Sequence, residues 1–443
     1  FSKNEPNSYY CSALGNIPFK AKWGAIFDGL LFIKKAYQPE TRVYQKSINA
    51  NNIEAAFLIE GKITDSKNKK AIPNADIILM NTNQSVVANK DGAFSFTIPK
   101  KDYAGQLIVS ALGYVSDTIN VAKLISIHKN VIKIRLKPYR FEGVILDEVI
   151  VNTPKKVLTA EEIITKARNS VEANYFQNPY NQKFYYKAQI IKKNKITSNV
   201  EAVVKTYNPK GMKGANAPDE EIYGEIEQSR KLAEDRNNLQ YGKISNFAFV
   251  FDRDIILSKS NVLYKTSSYD LKKEGVLIYN DRKVYKITFV NNAPGTYSTG
   301  YGYPAPLKSS GTVYIDTKTF AVLKYEHCVV REPSELKKQP DKMAQMMHKI
   351  IFTYKIFDGK YYINYGNVID KSIITAKADN AVLGENFFVN NIMSVDINTT
   401  DVLKIERPLL KIDQNISLQE DPEFWKNNSF ILQDDKVIFD MCN

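Results

Sequence analysis

The chain has 443 residues, of which 44% are hydrophobic and 25% are charged, and its formal net charge is +13. Single domains usually hold about 100–200 residues, so this length excludes one ordinary core and predicts two or three domains. The 27 Tyr and 22 Phe favour β-sheet, because aromatic side chains pack well on a pleated surface.

The positive charge narrows the class of partner, since it would suit nucleic acid, anionic lipid or an acidic protein. Most lysines are spread along the chain, apart from short clusters such as Lys69-Lys70 and Lys192-Lys193. That spread favours a solubilising charge, with a working basic patch as the alternative. The sequence contains no recognisable nucleic-acid-binding module, so we expect no nucleic-acid partner.

The cysteines and the apolar runs bear on the compartment. No run of about 18 apolar residues occurs, so we predict no transmembrane helix. The chain starts at Phe1 rather than at Met, which we interpret as a mature or trimmed product. With Cys11, Cys328 and Cys442 as its three cysteines, the sequence excludes a disulfide framework and a four-Cys zinc site. One optional bridge, for instance Cys11 with Cys442, and free thiols both stay open.

Residues 1–56 are predicted to form an N-terminal segment with one amphipathic helix. Its apolar side chains recur at the spacing of one helix face, at Trp23, Ile26, Phe27, Leu30 and Leu31. Two interpretations stay open, namely packing on the same protein and docking onto a partner or a membrane surface. For the second interpretation the candidate interaction residues are Trp23, Phe27, Leu30 and Leu31.

Residues 57–138 alternate short apolar strands with polar turns. Phe94, Phe96 and Ile98 alternate with small or polar residues, so the large side chains face one core. The pair Asp91-Gly92 supplies a turn before this strand, because Gly accepts a positive φ without steric strain. The number and spacing of the strands predict a small seven-stranded β-sandwich.

Four motifs of this region occur in the order known from one family. They are Gly61-Lys62-Ile63-Thr64-Asp65, Ala71-Ile72-Pro73-Asn74-Ala75, Asp91-Gly92-Ala93-Phe94-Ser95-Phe96 and Ser110-Ala111-Leu112-Gly113-Tyr114. Together they resemble the carboxypeptidase-regulatory-like domain, a transthyretin-like β-sandwich. The resemblance implies an accessory domain without catalytic residues, of the kind common at the N-termini of Bacteroidota cell-envelope proteins.

The segment 146–151 is similar to the link between this domain and the plug of TonB-dependent transporters. A plug and barrel need several hundred more residues, and only about 290 follow, so we do not expect a transporter. We interpret 139–158 as a linker to an α+β domain at 159–443.

The predicted α+β domain starts with a helix and continues with strands. Thr159-Ala160-Glu161-Glu162 has the pattern of a capping box, which begins a helix. The strands that follow predict a large, curved antiparallel sheet, half-barrel-like, with this helix as its cap. Fold class is therefore mainly β with α+β character.

Three hairpin segments of this domain, at 283–289, 311–316 and 321–326, resemble the LolA/LolB-like half-barrel. That family wraps an incomplete barrel around the acyl chains of lipoproteins. The resemblance implies an apolar cavity, and the residues expected to line it are Tyr285, Val313, Ile315 and Val322. The motif Asp421-Pro422-Glu423-Phe424-Trp425-Lys426-Asn427 is similar to segments that follow the same sandwich in Bacteroidota envelope proteins.

The sequence shows no motif for catalysis or for metal binding. Zinc-hydrolase, nucleophile-elbow, P-loop and dinucleotide fingerprints are absent. His327 adjoins Cys328, but neighbours on a strand point to opposite faces, so they cannot act as base and nucleophile together. We expect no catalytic residue, no metal and no cofactor.

The segment 291–310 is rich in Gly, Pro and Tyr and is predicted to be an irregular loop. Loops of this length are usually functional or disordered, so partner contact and a mobile connection both stay open. Tyr301 and Tyr303 are its candidate interaction residues.

From these features we predict a non-enzymatic structural or interaction subunit at the periplasmic face of the outer membrane. It would be peripheral to the membrane and part of a protein complex for transport, secretion or outer-membrane-protein assembly. The alternative is a LolA/LolB-like protein that binds lipid or lipoprotein. An enzyme whose site matches no motif is a third hypothesis.

Overall fold

The computed structural model describes residues 9–11, 19–21, 56–127, 131–139, 157–233, 246–409, 420–428 and 441. The chain divides into two compact units, Phe1–Ile53 and Glu54–Asn443. In the first unit, β1 (Tyr9–Cys11) and β2 (Phe19–Ala21) form an antiparallel pair. The predicted amphipathic helix lies outside the described residues, so it stays a prediction, as do its candidates Trp23, Phe27, Leu30 and Leu31.

The second unit begins with two four-stranded sheets, in the orders β6-β3-β10-β8 and β5-β4-β7-β9. Their strands are β3 (Phe57–Asp65), β4 (Asp76–Leu79), β5 (Ser85–Val87), β6 (Ala93–Ile98), β7 (Gln106–Ser110), β8 (Tyr114–Val115), β9 (Asp117–Asn120) and β10 (Val131–Pro138). A short helix, α1 (Val121–Ser126), precedes β10. This is the predicted β-sandwich, but it has eight strands instead of seven, because the chain after Gly113 adds the two short edge strands β8 and β9.

The core of the sandwich explains the alternation seen in the sequence. Phe94, Phe96 and Ile98 of β6 are at most 4% exposed, whereas Val131 at the start of β10 is 58% exposed. Burial of one large apolar side chain contributes roughly 1.5–3 kcal/mol. The register of β6 is therefore set by which of its faces carries the large side chains.

The rest of the unit is built on one antiparallel sheet of eleven strands. Its strands are β11 (Tyr180–Lys192), β12 (Lys195–Asn208), β13 (Tyr223–Ala233), β14 (Asp270–Tyr279), β15 (Arg282–Asn291), β16 (Pro306–Asp316), β17 (Val322–Arg331), β18 (Ser334–Leu336), β19 (Gln339–Phe357), β20 (Lys360–Ala376) and β21 (Val382–Asn398). The strand order is β13-β12-β11-β21-β20-β19-β17-β16-β15-β14, with β18 paired to β19. The sheet is not closed, which confirms the prediction of a mainly β chain with a large open antiparallel sheet.

Six helices accompany this sheet in the described residues. They are α2 (Ala160–Asn169), α3 (Val171–Asn174), α4 (Pro218–Glu221), α5 (Asn246–Phe251), α6 (Thr296–Thr299) and α7 (Pro422–Asn427). The predicted capping box is present at α2, where Thr159 Oγ1 accepts from the Glu162 N–H at 3.2 Å. The Thr159 N–H in turn donates to Glu162 Oε2 at 2.9 Å.

One face of the large sheet, here called the inner face, is covered by α2 and α5. Ile163 and Ile164 of α2 are fully buried in the same core as Phe247 of α5. The ring of Phe247 lies 6.0 Å from that of Phe184 and 5.3 Å from that of Tyr186, both on β11. These aromatic side chains fill the inner face.

The opposite face, here called the outer face, carries the sandwich and α7. Tyr365 of β20 and Met393 of β21 belong to the apolar cluster of the sandwich. Tyr185, opposite Met393 in the register, packs with Val203 and with Trp425 of α7. The sandwich is therefore stacked on the sheet and shares its apolar core.

Two glycines with positive φ allow a matched test of the turn after β5. Gly92 has φ +71 and a Cβ there would lie 2.3 Å from the Ile63 carbonyl oxygen, whereas Gly113 has φ +79 and nothing within 4 Å. Alanine at either position costs about 1–2 kcal/mol for the left-handed conformation. At Gly92 we expect about 2 kcal/mol more, because the strand must move away. Urea denaturation of Gly92→Ala and Gly113→Ala measures the difference, and equal losses would contradict the crowding at Gly92.

Candidate functional site

A buried polar network joins the sandwich to the outer face of the large sheet. Asp76, at the start of β4, is 1% exposed. Its carboxylate accepts from the Tyr279 hydroxyl at 2.7 Å and from Asn364 Nδ2 at 2.8 Å. Ser85 Oγ of β5 donates to Asn364 Oδ1 at 2.7 Å. Two sandwich strands are thus bonded to β14 and β20.

The same network contains a buried cation on β19. Lys355 Nζ donates to Ser85 Oγ at 3.0 Å and to the Asn83 carbonyl oxygen. Burial raises the pKa of Asp76 to about 6, and burial lowers the pKa of Lys355 to about 7. Desolvation is unfavourable for both charges, so these groups are stable there only while their hydrogen bonds are made.

Beside this network lies a groove of about 490 Å³ between the sandwich edge, the outer face and α7. Its apolar lining includes Val86, Phe96, Val203, Val395 and Phe424. Its polar rim includes the ion pair of Lys183 Nζ with Glu227 Oε2 at 2.6 Å. Both β5 and β6, which line the groove, are edge strands of their sheets.

The predicted irregular loop contains α6 and is held by two arginines. Arg331 donates from Nε to the Pro304 carbonyl oxygen at 2.8 Å and from Nη2 to that of Gly302 at 3.0 Å. Arg253 Nη1 donates to the Gly300 carbonyl oxygen at 2.9 Å. Charge-assisted hydrogen bonds of this kind fix the backbone of the loop.

The two candidate tyrosines of this loop have different surroundings. Tyr301 is 5% exposed, its ring stacks 4.0 Å from that of His348, and the Arg253 guanidinium lies 3.9 Å from its centroid. Burial raises the pKa of Tyr301. His348 Nδ1 lies 2.6 Å from Asp370 Oδ1. Tyr303 is 90% exposed. Tyr301 thus positions the loop from inside, and of the two only Tyr303 presents its ring to solvent.

The residues expected to line a lipid cavity are part of a filled core. Val313, Ile315 and Val322 are at most 1% exposed and belong to the inner-face cluster, with Tyr285 packed against it. Side chains of α2 and α5 occupy that side of the sheet. The expectation of an apolar cavity at these positions is wrong, because aromatic side chains and helices take the space.

A Ser/His contact lies in the core, and the motif survey of the sequence missed it. Ser309 Oγ and His327 Nε2 are 2.8 Å apart, because the two residues lie on the neighbouring strands β16 and β17. Burial and the nearby Arg253 lower the pKa of His327 to about 3. An imidazole with that pKa is a poor base at neutral pH, so the pair has a packing role.

Other features bear on metals, thiols and membranes. Cys328 is disulfide-bonded, whereas the side chains of Cys11 and Cys442 lie outside the described part of the chain. Within the described residues, no group of three or more His, Cys, Asp or Glu could hold a metal ion. Nor does that part of the chain contain a helix long and apolar enough to cross a membrane.

Comparison with known families supports the interpretation of the sandwich. Residues 59–151 match the family model of the CarboxypepD_reg-like domain, which confirms the resemblance carried by the four motifs. The match continues past β10 and includes the segment 146–151. No curated protein matches the chain.

Solved structures similar to this chain include two lipoprotein-related proteins. A LolA superfamily protein from Nitrosomonas europaea is 11% identical, covers 56% of this chain and 96% of its own, and has a TM-score of 0.24. Lipoprotein LppX from Mycobacterium tuberculosis is 9% identical, covers 56% of this chain and 98% of its own, and has a TM-score of 0.20. At these TM-scores the likeness carries no argument.

Asp76→Asn tests the interface carboxylate through the pH dependence of folding. The folded protein binds this proton more tightly than the unfolded chain, since the pKa is about 6 against the ordinary 3.8. The contribution of Asp76 to stability is therefore complete below the ordinary pKa and is lost as pH rises through about 6. We expect the advantage of wild type over Asp76→Asn to fall by about 3 kcal/mol across this range.

Urea denaturation at a series of pH values measures this advantage. The exposed Asp91→Asn in the same sandwich is the matched control, and its difference from wild type is expected to stay nearly constant with pH. A constant difference for Asp76→Asn as well would contradict the assignment.

Arg331→Ala tests how the loop is held. Hydrogen bonds from a charged donor contribute about 1.5–3 kcal/mol each, so their loss should raise amide hydrogen exchange in 296–305 by about tenfold or more. Lys308→Ala, which removes an exposed cation from the neighbouring strand β16, should leave this exchange unchanged. Equal exchange in the two variants would show that the loop is held by something other than Arg331.

Proposed function

We propose that this protein is a non-catalytic interaction subunit at the periplasmic face of the outer membrane, docked onto a protein complex for transport, secretion or outer-membrane-protein assembly. The organisation into 1–56, 57–138, 139–158 and 159–443 is part of the proposal. The observation that carries it is the groove between the sandwich edge and the large sheet.

The groove suits an extended segment of a protein partner. In the described sheets, β5 and β6 each pair on one side only, so their outer backbone groups face the groove side unpaired by a strand. A partner strand added at such an edge gains main-chain hydrogen bonds. Phe96 and Phe424 offer apolar contacts for its side chains.

The compartment is supported by two independent features. The CarboxypepD_reg-like match at 59–151 agrees with a family that serves as an accessory domain in envelope proteins. Cys328 is disulfide-bonded, and disulfides persist in oxidising compartments such as the periplasm. Both features favour an exported protein without catalytic chemistry in its sandwich.

The volume of the groove favours a second candidate function, which is binding of a lipid or of a lipoprotein acyl chain. Its roughly 490 Å³ is within the range of small-molecule sites, and most of its large lining side chains are apolar. This candidate differs from the predicted LolA/LolB-like site, since the groove lies on the outer face.

Thr97→Trp tests both candidates, because residue 97 lines the groove and a large ring there would fill it. We expect the variant to lose the partner proteins that co-purify with the wild-type chain from envelope extracts, by about tenfold or more. Thr118→Trp, on the exposed edge strand β9, is the matched control and should retain them. Mass spectrometry identifies bound proteins and lipids.

Loss of co-purified lipid alone would favour the second candidate. Identical protein and lipid content for wild type and Thr97→Trp would refute docking at the groove.

A further inference from the structure

One end of the large sheet gathers several connections, and it is here called the loop end. Neighbouring strands are antiparallel, so alternate connections lie at the same end of a sheet. The register places together the β11–β12 turn, the β15–β16 loop, the β17–β19 connection through β18, and the β20–β21 turn. These connections are residues 192–195, 291–308, 331–339 and 376–385.

The loop end exposes large apolar side chains. They are Val290 at 46%, Tyr297 at 72%, Tyr303 at 90%, Leu307 at 47%, Val382 at 65% and Leu383 at 49% exposure. Single exposed apolar residues are normal on protein surfaces, but a group at one end of a sheet marks an interaction surface. Neighbouring strands are about 4.8 Å apart, so the β20–β21 turn lies about 14 Å from β16 along this end.

Cations surround these side chains. The four connections contain eight Lys or Arg and four Asp or Glu. Glu335 pairs with Lys377, and Glu385 pairs with Lys371 at 2.7 Å, which neutralises two of the carboxylates. Exposed lysines of these connections are Lys193, Lys195, Lys308, Lys337 and Lys338. The charge of the loop end is therefore complementary to an anionic surface.

The exposed tyrosines are also preorganised. Arg253 and Arg331 hold the backbone of their loop, and Lys265 Nζ lies 3.4 Å from the ring centroid of Tyr297. A fixed loop loses little conformational entropy when it binds. Tyrosine rings favour the interface between lipid headgroups and acyl chains, and lysines beside them contact anionic headgroups.

We propose that the loop end binds the surface of an anionic lipid bilayer, with Tyr297, Tyr303 and Leu307 entering the interface. The apolar side chains lie along a rim on several connections, with cations between them. A protein partner would instead favour one central pocket with anchor residues. This inference adds a lipid contact to the proposed function, which itself depends on the groove at Thr97.

Co-sedimentation of the purified full chain with vesicles tests the inference. The chain should bind vesicles of equal parts phosphatidylcholine and phosphatidylglycerol, bind phosphatidylcholine vesicles far less, and dissociate as salt rises. Lys308→Glu should weaken binding about fivefold or more, since each cation near the surface matters to about that extent. Lys318→Glu, in the exposed turn at the opposite end, is the matched control for net charge.

A second pair of variants separates apolar insertion from charge. The double variant Tyr297→Ser with Tyr303→Ser should weaken binding about tenfold, whereas Leu403→Ser should leave it unchanged. Leu403 is 56% exposed, and its N–H donates to Asn181 at the far end of β11. All these positions are exposed, so the variants are expected to fold.

Each outcome decides for or against the inference. Absence of binding to anionic vesicles overturns it, and so does an equal loss in Lys308→Glu and Lys318→Glu, which would show an effect of net charge alone. A chain that keeps its co-purified proteins through the groove but binds no vesicles leaves the proposed function standing while this inference fails. Vesicle binding by a chain without protein partners gives the reverse.

Discussion

The hydrogen-bonded carboxylate of Asp76 fixes the relation between the two layers of the second unit. Removing this group from water is unfavourable unless Tyr279 and Asn364 supply their hydrogen bonds, and both belong to the large sheet. Lys355 and Ser85 extend the same network, so the sandwich has one position on the sheet where all these groups are satisfied. Apolar contacts around Tyr365 and Met393 add free energy, but they are less directional.

That single docking position determines which surfaces remain for binding. The inner face of the sheet is filled by α2, α5 and their aromatic neighbours, so an acyl chain finds no room among Val313, Ile315 and Val322. The outer face keeps a groove because the sandwich sits on β20 and β21 while α7 covers β11 and β12. The open groove is thus a consequence of how the layers meet.

The loop end owes its character to a different kind of constraint. Arg253 and Arg331 satisfy the carbonyl oxygens of Gly300, Gly302 and Pro304, which turns a Gly-rich stretch into a fixed loop. Tyr301 is enclosed between His348 and Arg253, and the chain direction that results leaves Tyr303 in solvent. A loop that is fixed in this way presents aromatic rings without further ordering.

The sequence by itself determined the local and periodic features of this protein. Alternation around Phe94, the turn at Gly92 and the capping box at Thr159 depend on neighbours within a few residues, so their patterns are readable along the chain. Only the tertiary structure decided the polar network, the groove and the burial of Tyr301. Asp76 meets Tyr279 across 203 residues and Asn364 across 288 residues, and such contacts leave no periodic signal. The filled inner face was likewise undecided, because alternation shows which side chains point inward but leaves open whether another layer already occupies the space.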